Sequence, residues 1–284
     1  MMLSKEVLQA FIASALREDV GSGDHTTLAC IPAEATGRAV LKIKEDGILA
    51  GTEVAKAIFS YLEPGIRFDP FKKDGDVMKK GEEAFRISGH VHTLLTGERL
   101  ALNCMQRMSG IATLTNRYVE KLKGYHTRLL DTRKTTPNFR ALEKEAVRLG
   151  GGVNHRMGLY DMIMLKDNHI DFCGGIPNAI QRVHAYQRLH KLDLPVEIEV
   201  RSLEDVRQVL AAGDVRRIML DNFSTELAAR AVDLIAGRTE TEASGGITLQ
   251  TIEGYAKAGV DFISAGAVIH HAVSVDLSLK AMPG

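Results

Sequence analysis

The chain of 284 residues has no tryptophan, and aromatic residues make up only 5% of it. A surface that stacks nucleic-acid bases needs such rings, so a nucleic-acid partner is not expected. An excess of either charge is missing too: 36 Lys and Arg stand against 36 Asp and Glu, for a formal net charge of zero. That balance removes the electrostatic footprint of a protein built to hold DNA, RNA or an anionic membrane. Cysteine is scarce, and Cys30, Cys104 and Cys173 are odd in number and far apart. They make neither a CxxC metal pair nor a disulfide framework, and each reads as a small buried apolar residue in a reducing compartment. No apolar run approaches the ~20 residues that cross a bilayer, and no apolar segment follows a basic one at the N-terminus. The expected location is cytoplasmic.

What remains is an ordinary soluble composition, 45% hydrophobic and 25% charged, enough for one large α/β domain or two domains. Val7, Leu8, Phe11, Ile12, Ala15 and Leu16 form a helical stripe that Gly21 is placed to end, and residues 21–27 read as a loop. Alternation over residues 36–49, with a turn at Glu45-Asp46-Gly47, suggests a hairpin. A helix from Thr52 should stop before Pro64-Gly65. A long helix beginning near Thr93 carries a Met-rich stripe, and Ser109-Gly110 is a plausible hinge between this region and the rest.

After residue 125 the rhythm changes to short apolar strands alternating with amphipathic helices. The strands drawn are 127–131, 162–166, 196–200, 217–221, 239–243 and 261–265, with a further one near Val153. Such alternation implies parallel strands joined by right-handed crossovers, in an open sheet or a barrel. Polar residues or glycines recur at the strand ends as Asp131, Lys166, Glu199, Asp221, Ser244 and Gly266, and no GxGxxG follows the first strand. Both features favour a barrel with a site at its C-terminal mouth.

The chemistry gathers there. Arg133, Lys134, Arg156 and Lys166, with His155 beside them, concentrate positive charge in a chain that has no excess of it. Guanidinium forks grip carboxylates and Lys adds a point charge, so a small dicarboxylate or a pyrophosphate suits the cluster. Glu199 and Asp221, with Glu197 as a secondary candidate, offer hard oxygens for Mg²⁺ or for ribose hydroxyls. Ser244-Gly245-Gly246-Ile247-Thr248, read as opening a helix, and Gly266-Ala267 offer backbone N–H groups for a phosphate.

These residues lie in DTRKTTP (131–137), EKEAVRLGGGVNHRMGLYDMIMLKDNH (143–169), EIEV (197–200), IMLDNF (218–223), SGGI (244–247) and ISAGAVIHH (263–271). Together with GDHTT (23–27) and ERLALNCMQRMSGIAT (98–113), they resemble the quinolinate phosphoribosyltransferases over nearly the whole chain. The resemblance implies transfer of the phosphoribosyl group of 5-phosphoribosyl-1-pyrophosphate (PRPP) to quinolinate, with decarboxylation to nicotinate mononucleotide. It implies an N-terminal α/β sandwich over residues 1–111, possibly joined by the tail 272–284, and an open, incomplete α/β barrel over 112–271. It assigns Arg133, Lys134, His155, Arg156 and Lys166 to the quinolinate carboxylates, with Arg99 reaching in from a neighbouring subunit of a homodimer or larger homo-oligomer. Glu199 and Asp221 fall to the Mg²⁺-PRPP ribose region, and Ser244, Gly245, Gly246, Gly266, Ala267 and His270 to the phosphate. Lys134, Glu199 and Asp221 are the catalytic candidates. Asn138, Leu100 and Glu145 depart from the family pattern, Asn138 standing where glycine is common.

Two other readings exist. One is a phosphoribosyltransferase of the same architecture that acts on nicotinate or is associated with molybdenum transport. The other is a non-catalytic carrier, because Lys73 to Gly81 resembles a lipoyl-type turn, but it leaves most of the chain unexplained.

Overall fold

The computed structural model describes residues 4–282. Its contacts divide the chain into two compact units, one of residues 1–116, 135–151 and 269–284, the other of residues 117–134 and 152–268. In chain order the elements of the first stretch are α1 (Lys5–Val20), α2 (His25–Cys30), β1 (Thr36–Ile43), β2 (Gly47–Ile48), α3 (Thr52–Leu62), β3 (Arg67–Pro70), β4 (Val77–Met78), β5 (Glu83–His90) and α4 (Val91–Lys121). Next come β6 (Arg128–Leu130), α5 (Arg140–Leu149), β7 (Ile163–Leu165), α6 (Asp167–Cys173), α7 (Ile176–His190), β8 (Val196–Val200), α8 (Leu203–Ala212), β9 (Arg217–Asp221) and α9 (Thr225–Ile235). The chain ends with β10 (Glu240–Ser244), α10 (Ile252–Lys257), β11 (Phe262–Ser264), α11 (Ala267–His270) and β12 (Leu277–Met282).

In the first unit an antiparallel sheet has the order β12-β1-β5-β3. The C-terminal strand therefore joins the N-terminal one, Leu41 opposite Leu279. The hairpin expected over residues 36–49 does not form. β1 pairs with β5 and β12, while β2 pairs with β4, because the apolar face of β1 is satisfied by strands distant in sequence rather than across the Asp46-Gly47 turn. Phe59, Phe85, Ile43, Ile58 and Met78 are wholly buried in this unit, each side chain contributing roughly 1.5–3 kcal/mol.

Local polar groups set the helix ends. Ser4 caps α1, and Asp24 caps α2 through Thr27 N–H, so helix begins inside the stretch read as loop. α3 starts at a glycine with no side chain to cap it, and the Asp74 carboxylate accepts from the Thr52 and Glu53 N–H groups instead. The lipoyl-like turn thus has a structural use. Nor is Ser109-Gly110 a hinge, since α4 runs straight through it. A Cβ at Gly110 would lie 2.1 Å from the Val273 carbonyl oxygen, so the glycine serves close packing within the first unit.

The second unit holds a parallel sheet in the order β6-β11-β10-β9-β8-β7. Sequence order is kept around a ring, with the first strand beside the last, and the ring is open between β6 and β7. Val153 adds only a single bridge to Leu130 at the β6 edge. Ile198, Ile218, Leu220, Ala243 and Ile263 are buried on one face, and the alternate residues point to the other. That second face is unusually polar.

Candidate active site

Register places Glu197 opposite Arg217 and Arg217 opposite Glu240, with Glu199, Met219 and Glu242 one layer higher, and Asp221 and Ser244 above them. All lie on the same face by the two-residue period. Glu197 and Glu242 have no exposed side-chain area, and the His155 side chain is 5% exposed. His155 Nε2 stands 3.1 Å from Glu197 and 3.4 Å from Glu242. Arg217 Nη1 donates to Glu242 at 2.9 Å, and its guanidinium stacks over the Phe262 ring at 4.0 Å. Two carboxylates thus face two cationic side chains.

Burial acts to lower the His155 pKa, but hydrogen bonds and charges from Glu197 and Glu242 outweigh it and push the ring up to about 9. The Arg156 N–H lies 2.7 Å from His155 Nδ1, a contact that favours an unprotonated Nδ1. The two tendencies oppose each other, and magnitude decides. An uncompensated buried charge costs roughly 3–5 kcal/mol, against ~1 kcal/mol for one amide hydrogen bond. The protonated ring therefore prevails. Burial and the charge of Glu242 raise the Glu197 pKa.

His155, Glu197 and Glu242 bring ligand atoms within 4.8 Å of one another, the grouping of metal-binding type among the described residues. Arg217 and the protonated ring already neutralise it, so these residues do not fit a divalent cation. His155, expected as a direct substrate contact, has its ring facing the buried Glu197 and Glu242 through Nε2. Its backbone N–H donates to the wholly buried Asp131 at 2.9 Å, which fixes the start of the segment carrying Arg156.

Burial, and next the charge of Arg133, hold the Arg156 guanidinium below its ordinary range, so the two arginines feel each other. Arg156 Nη1 donates to the Met162 carbonyl at 3.2 Å. Lys166 Nζ lies 3.1 Å from Glu199, whose side chain is only 9% exposed. Arg133, Lys134 and Lys166 are otherwise solvent-facing, and the Lys134 N–H is held by Thr132 Oγ1 at 3.0 Å.

Asp221 ends β9, and its carboxylate accepts from Asn222 Nδ2 at 2.7 Å. The Asn222 N–H in turn donates to the Ser244 carbonyl at 2.8 Å. Asn222, Gly245 and Gly246 all have positive φ, at 54°, 97° and 60°. The glycine turn does not open a helix, since α10 starts only at Ile252. Any phosphate-binding N–H groups there belong to a left-handed loop. Ala267 does open α11, directly after Gly266, and His270 closes it, exposed and edge-on to His271. Arg99 is exposed on α4 in the first unit. Glu242, Arg217 and Asn222 were missed as candidates. The recurrence of an acid two residues apart, Glu240 and Glu242 about the β-branched Thr241 in a short strand, was the available signal for Glu242.

Models of the quinolinate phosphoribosyl transferase N-terminal and C-terminal domains match residues 24–109 and 111–280. The chain belongs to the quinolinate phosphoribosyl transferase family. A chloroplastic nicotinate-nucleotide pyrophosphorylase (carboxylating) of Arabidopsis thaliana is 45% identical, the match covering 96% of this chain and 82% of that one. A probable counterpart from Synechocystis is 41% identical, over 96% of this chain and 92% of its own. Among solved structures, NadC from Streptococcus pyogenes superposes with a TM-score of 0.93 at 42% identity, covering all of both chains. Of the departures from the quinolinate phosphoribosyl transferase pattern, Asn138 has φ 61°. It occupies the left-handed conformation that glycine would take and that asparagine tolerates best among other residues.

Proposed function

We propose that this chain transfers the phosphoribosyl group of PRPP to the ring nitrogen of quinolinate, releasing pyrophosphate and CO₂ and forming nicotinate mononucleotide for NAD biosynthesis. The observation that carries this reading is the polar face of the parallel sheet, where Lys166 Nζ lies 3.1 Å from Glu199 and Asp221 ends the neighbouring strand. Arg133, Lys134, Arg156 and Lys166 concentrate positive charge that calls for an anion of more than one charge, and a dicarboxylate supplies it. The family relatives named for this reaction support the same substrate.

In this reading Arg133, Lys134, His155, Arg156 and Lys166 hold the two carboxylates, and the Arg156 N–H lies 2.7 Å from His155 Nδ1. The pyridine nitrogen is already a nucleophile, so no general base is needed. Positive charge developing at the ribose carbon is stabilised by Glu199 and Asp221, and Lys134 stabilises negative charge on the quinolinate side. Ser244, Gly245, Gly246, Gly266, Ala267 and His270 take the phosphate end. Glu199 and Asp221 project from one face of neighbouring strands, and Lys166 already compensates one of them. Such a pair fits Mg²⁺ held partly through water, and the bound ion would neutralise the departing pyrophosphate. A homo-oligomer, at least a dimer, would bring the exposed Arg99 of one subunit to the site of another. Of the three free cysteines only Cys104 is buried, and Cys30 is exposed, against the expectation that each is a small buried residue; the cytoplasmic setting is part of the proposal. No helix among the described residues is long and apolar enough to cross a membrane.

The test is to supply quinolinate, PRPP and Mg²⁺ and to follow nicotinate mononucleotide and CO₂. Stoichiometric formation of both is expected. Turnover of nicotinate instead, or no turnover, overturns the reading.

A further inference from the structure

Arg107 is no expected site residue, yet its guanidinium makes four hydrogen bonds. Its Nε and Nη2 donate to Glu143 Oε1 at 3.0 and 2.9 Å, Nη2 also donates to the Ile269 carbonyl at 2.9 Å, and Nη1 donates to the Ala272 carbonyl at 2.8 Å. Glu143, on α5, is wholly buried. Its Oε2 accepts the Thr136 N–H at 2.8 Å, and its Oε1 accepts the Thr136 hydroxyl at 3.0 Å. One arginine therefore fixes two backbone segments. The first, residues 269–272, encloses His270, and the second, reached through Glu143, begins two residues beyond Lys134.

We propose that Arg107, acting with Glu143, is a positioning residue for both substrates: it sets the backbone that presents Lys134 to quinolinate and the backbone that presents His270 to the phosphate of PRPP. The inference rests on the function proposed above. Its basis is where the bonds end. A buried ion pair is often no more stabilising than an apolar pair of similar volume, so stability alone does not explain it. An apolar pair cannot direct the carbonyls of Ile269 and Ala272 or the amide of Thr136, and each of those groups lies within two residues of a proposed substrate contact. The bonds to charged partners are the strong, geometrically selective kind.

The experiment begins with wild-type turnover of quinolinate and PRPP, whose failure would sink the proposed function and not this inference alone. Given turnover, the double variant Arg107→Met/Glu143→Met is compared with each single variant. The singles leave a buried charge unpaired and should melt well below wild type, while the double should recover most of that loss. If Arg107 positions the substrates, recovered stability does not restore activity. kcat/KM stays down by about tenfold or more, with KM raised for both quinolinate and PRPP, because small misplacements of binding groups are costly. A double variant that melts like wild type and has wild-type kcat/KM overturns the inference. Should the double variant not fold, Thr136→Val decides, since it removes one hydroxyl bond and leaves the ion pair. A rise of roughly 2- to 10-fold in the quinolinate KM is expected, the worth of one hydrogen bond, with the PRPP KM unchanged. No change, or an equal change for both substrates, overturns the inference.

Discussion

Gly245→Ala should damage the proposed PRPP end of the site in a way that Gly246→Ala does not. Both glycines have positive φ, 97° and 60°, so an alanine at either costs ~1–2 kcal/mol of backbone strain. Their surroundings differ. A Cβ on Gly245 would stand 2.2 Å from Asn222 Oδ1, 2.7 Å from its Cγ and 3.0 Å from its backbone nitrogen, whereas one on Gly246 meets nothing within 4 Å. The Asn222 side chain must move, breaking the 2.7 Å bond to the Asp221 carboxylate, a hydrogen bond to a charged group worth ~1.5–3 kcal/mol. The main chain cannot follow easily, because the Asn222 N–H is bonded to the Ser244 carbonyl at 2.8 Å. Strain and lost bond together give about 3–4 kcal/mol, which lowers Tm by roughly 6–16 °C for a chain of this size. Gly246→Ala should lose only the strain, about 1–2 kcal/mol. Thermal unfolding of the two variants, with KM for PRPP and direct quinolinate binding, checks the difference. Gly245→Ala should raise the PRPP KM about tenfold or more, as Asp221 loses its orientation, and leave quinolinate affinity close to wild type. Equal Tm values for the two variants, or a wild-type PRPP KM in Gly245→Ala, would refute the reasoning.

The remaining predictions concern the cations and the buried quartet. Arg133→Ala and Lys166→Ala should each remove most quinolinate binding by calorimetry, and wild-type affinity in both would make the basic cluster structural. Glu242→Gln leaves Arg217 and His155 short of a buried counter-charge and should lower unfolding free energy by about 3 kcal/mol in a denaturant titration. His155 is held above its ordinary value of 6.5, at about 9. Its contribution is therefore complete below about pH 6.5 and is lost as pH rises through about 9. Wild type should lose ~3 kcal/mol more than His155→Gln between those limits, and parallel pH profiles would contradict the assignment.

Much of this was legible from residue pattern, and the failures have identifiable causes. The strands carrying Glu199 and Asp221 were read at their observed bounds, 196–200 and 217–221, because a short β-branched or apolar run between two helical patterns has few other interpretations. β1 was misread as half of a hairpin, since alternation reports a pleat but not which strand, near or distant, will cover it. Gly110 was misread as a hinge because a glycine needed for close packing looks the same in sequence as one needed for bending. His155 was found for its neighbours, and its buried pairing was not. Its ring faces Glu197 and Glu242, and that pairing depends on strand register, which nothing in the local sequence specifies. Arg107 and Glu143 left no signal, as each looks like a surface residue on a helix until the other is seen.

The open ring has a consequence for how this chain avoids its own copies. Leaving the circle of strands unclosed exposes two sheet edges, and an unpaired edge is a template for intermolecular pairing. Here β6 and β7 are three residues each, Arg128–Leu130 and Ile163–Leu165, too short to offer more than a hydrogen bond or two, and Val153 already occupies Leu130. The segment between Val153 and Ile163 carries His155 and Arg156 where a further strand would lie in a complete ring. Substitutions that favour extended structure there, such as β-branched residues at 157–160, should therefore lengthen the β7 edge and show as aggregation before they show as lost stability.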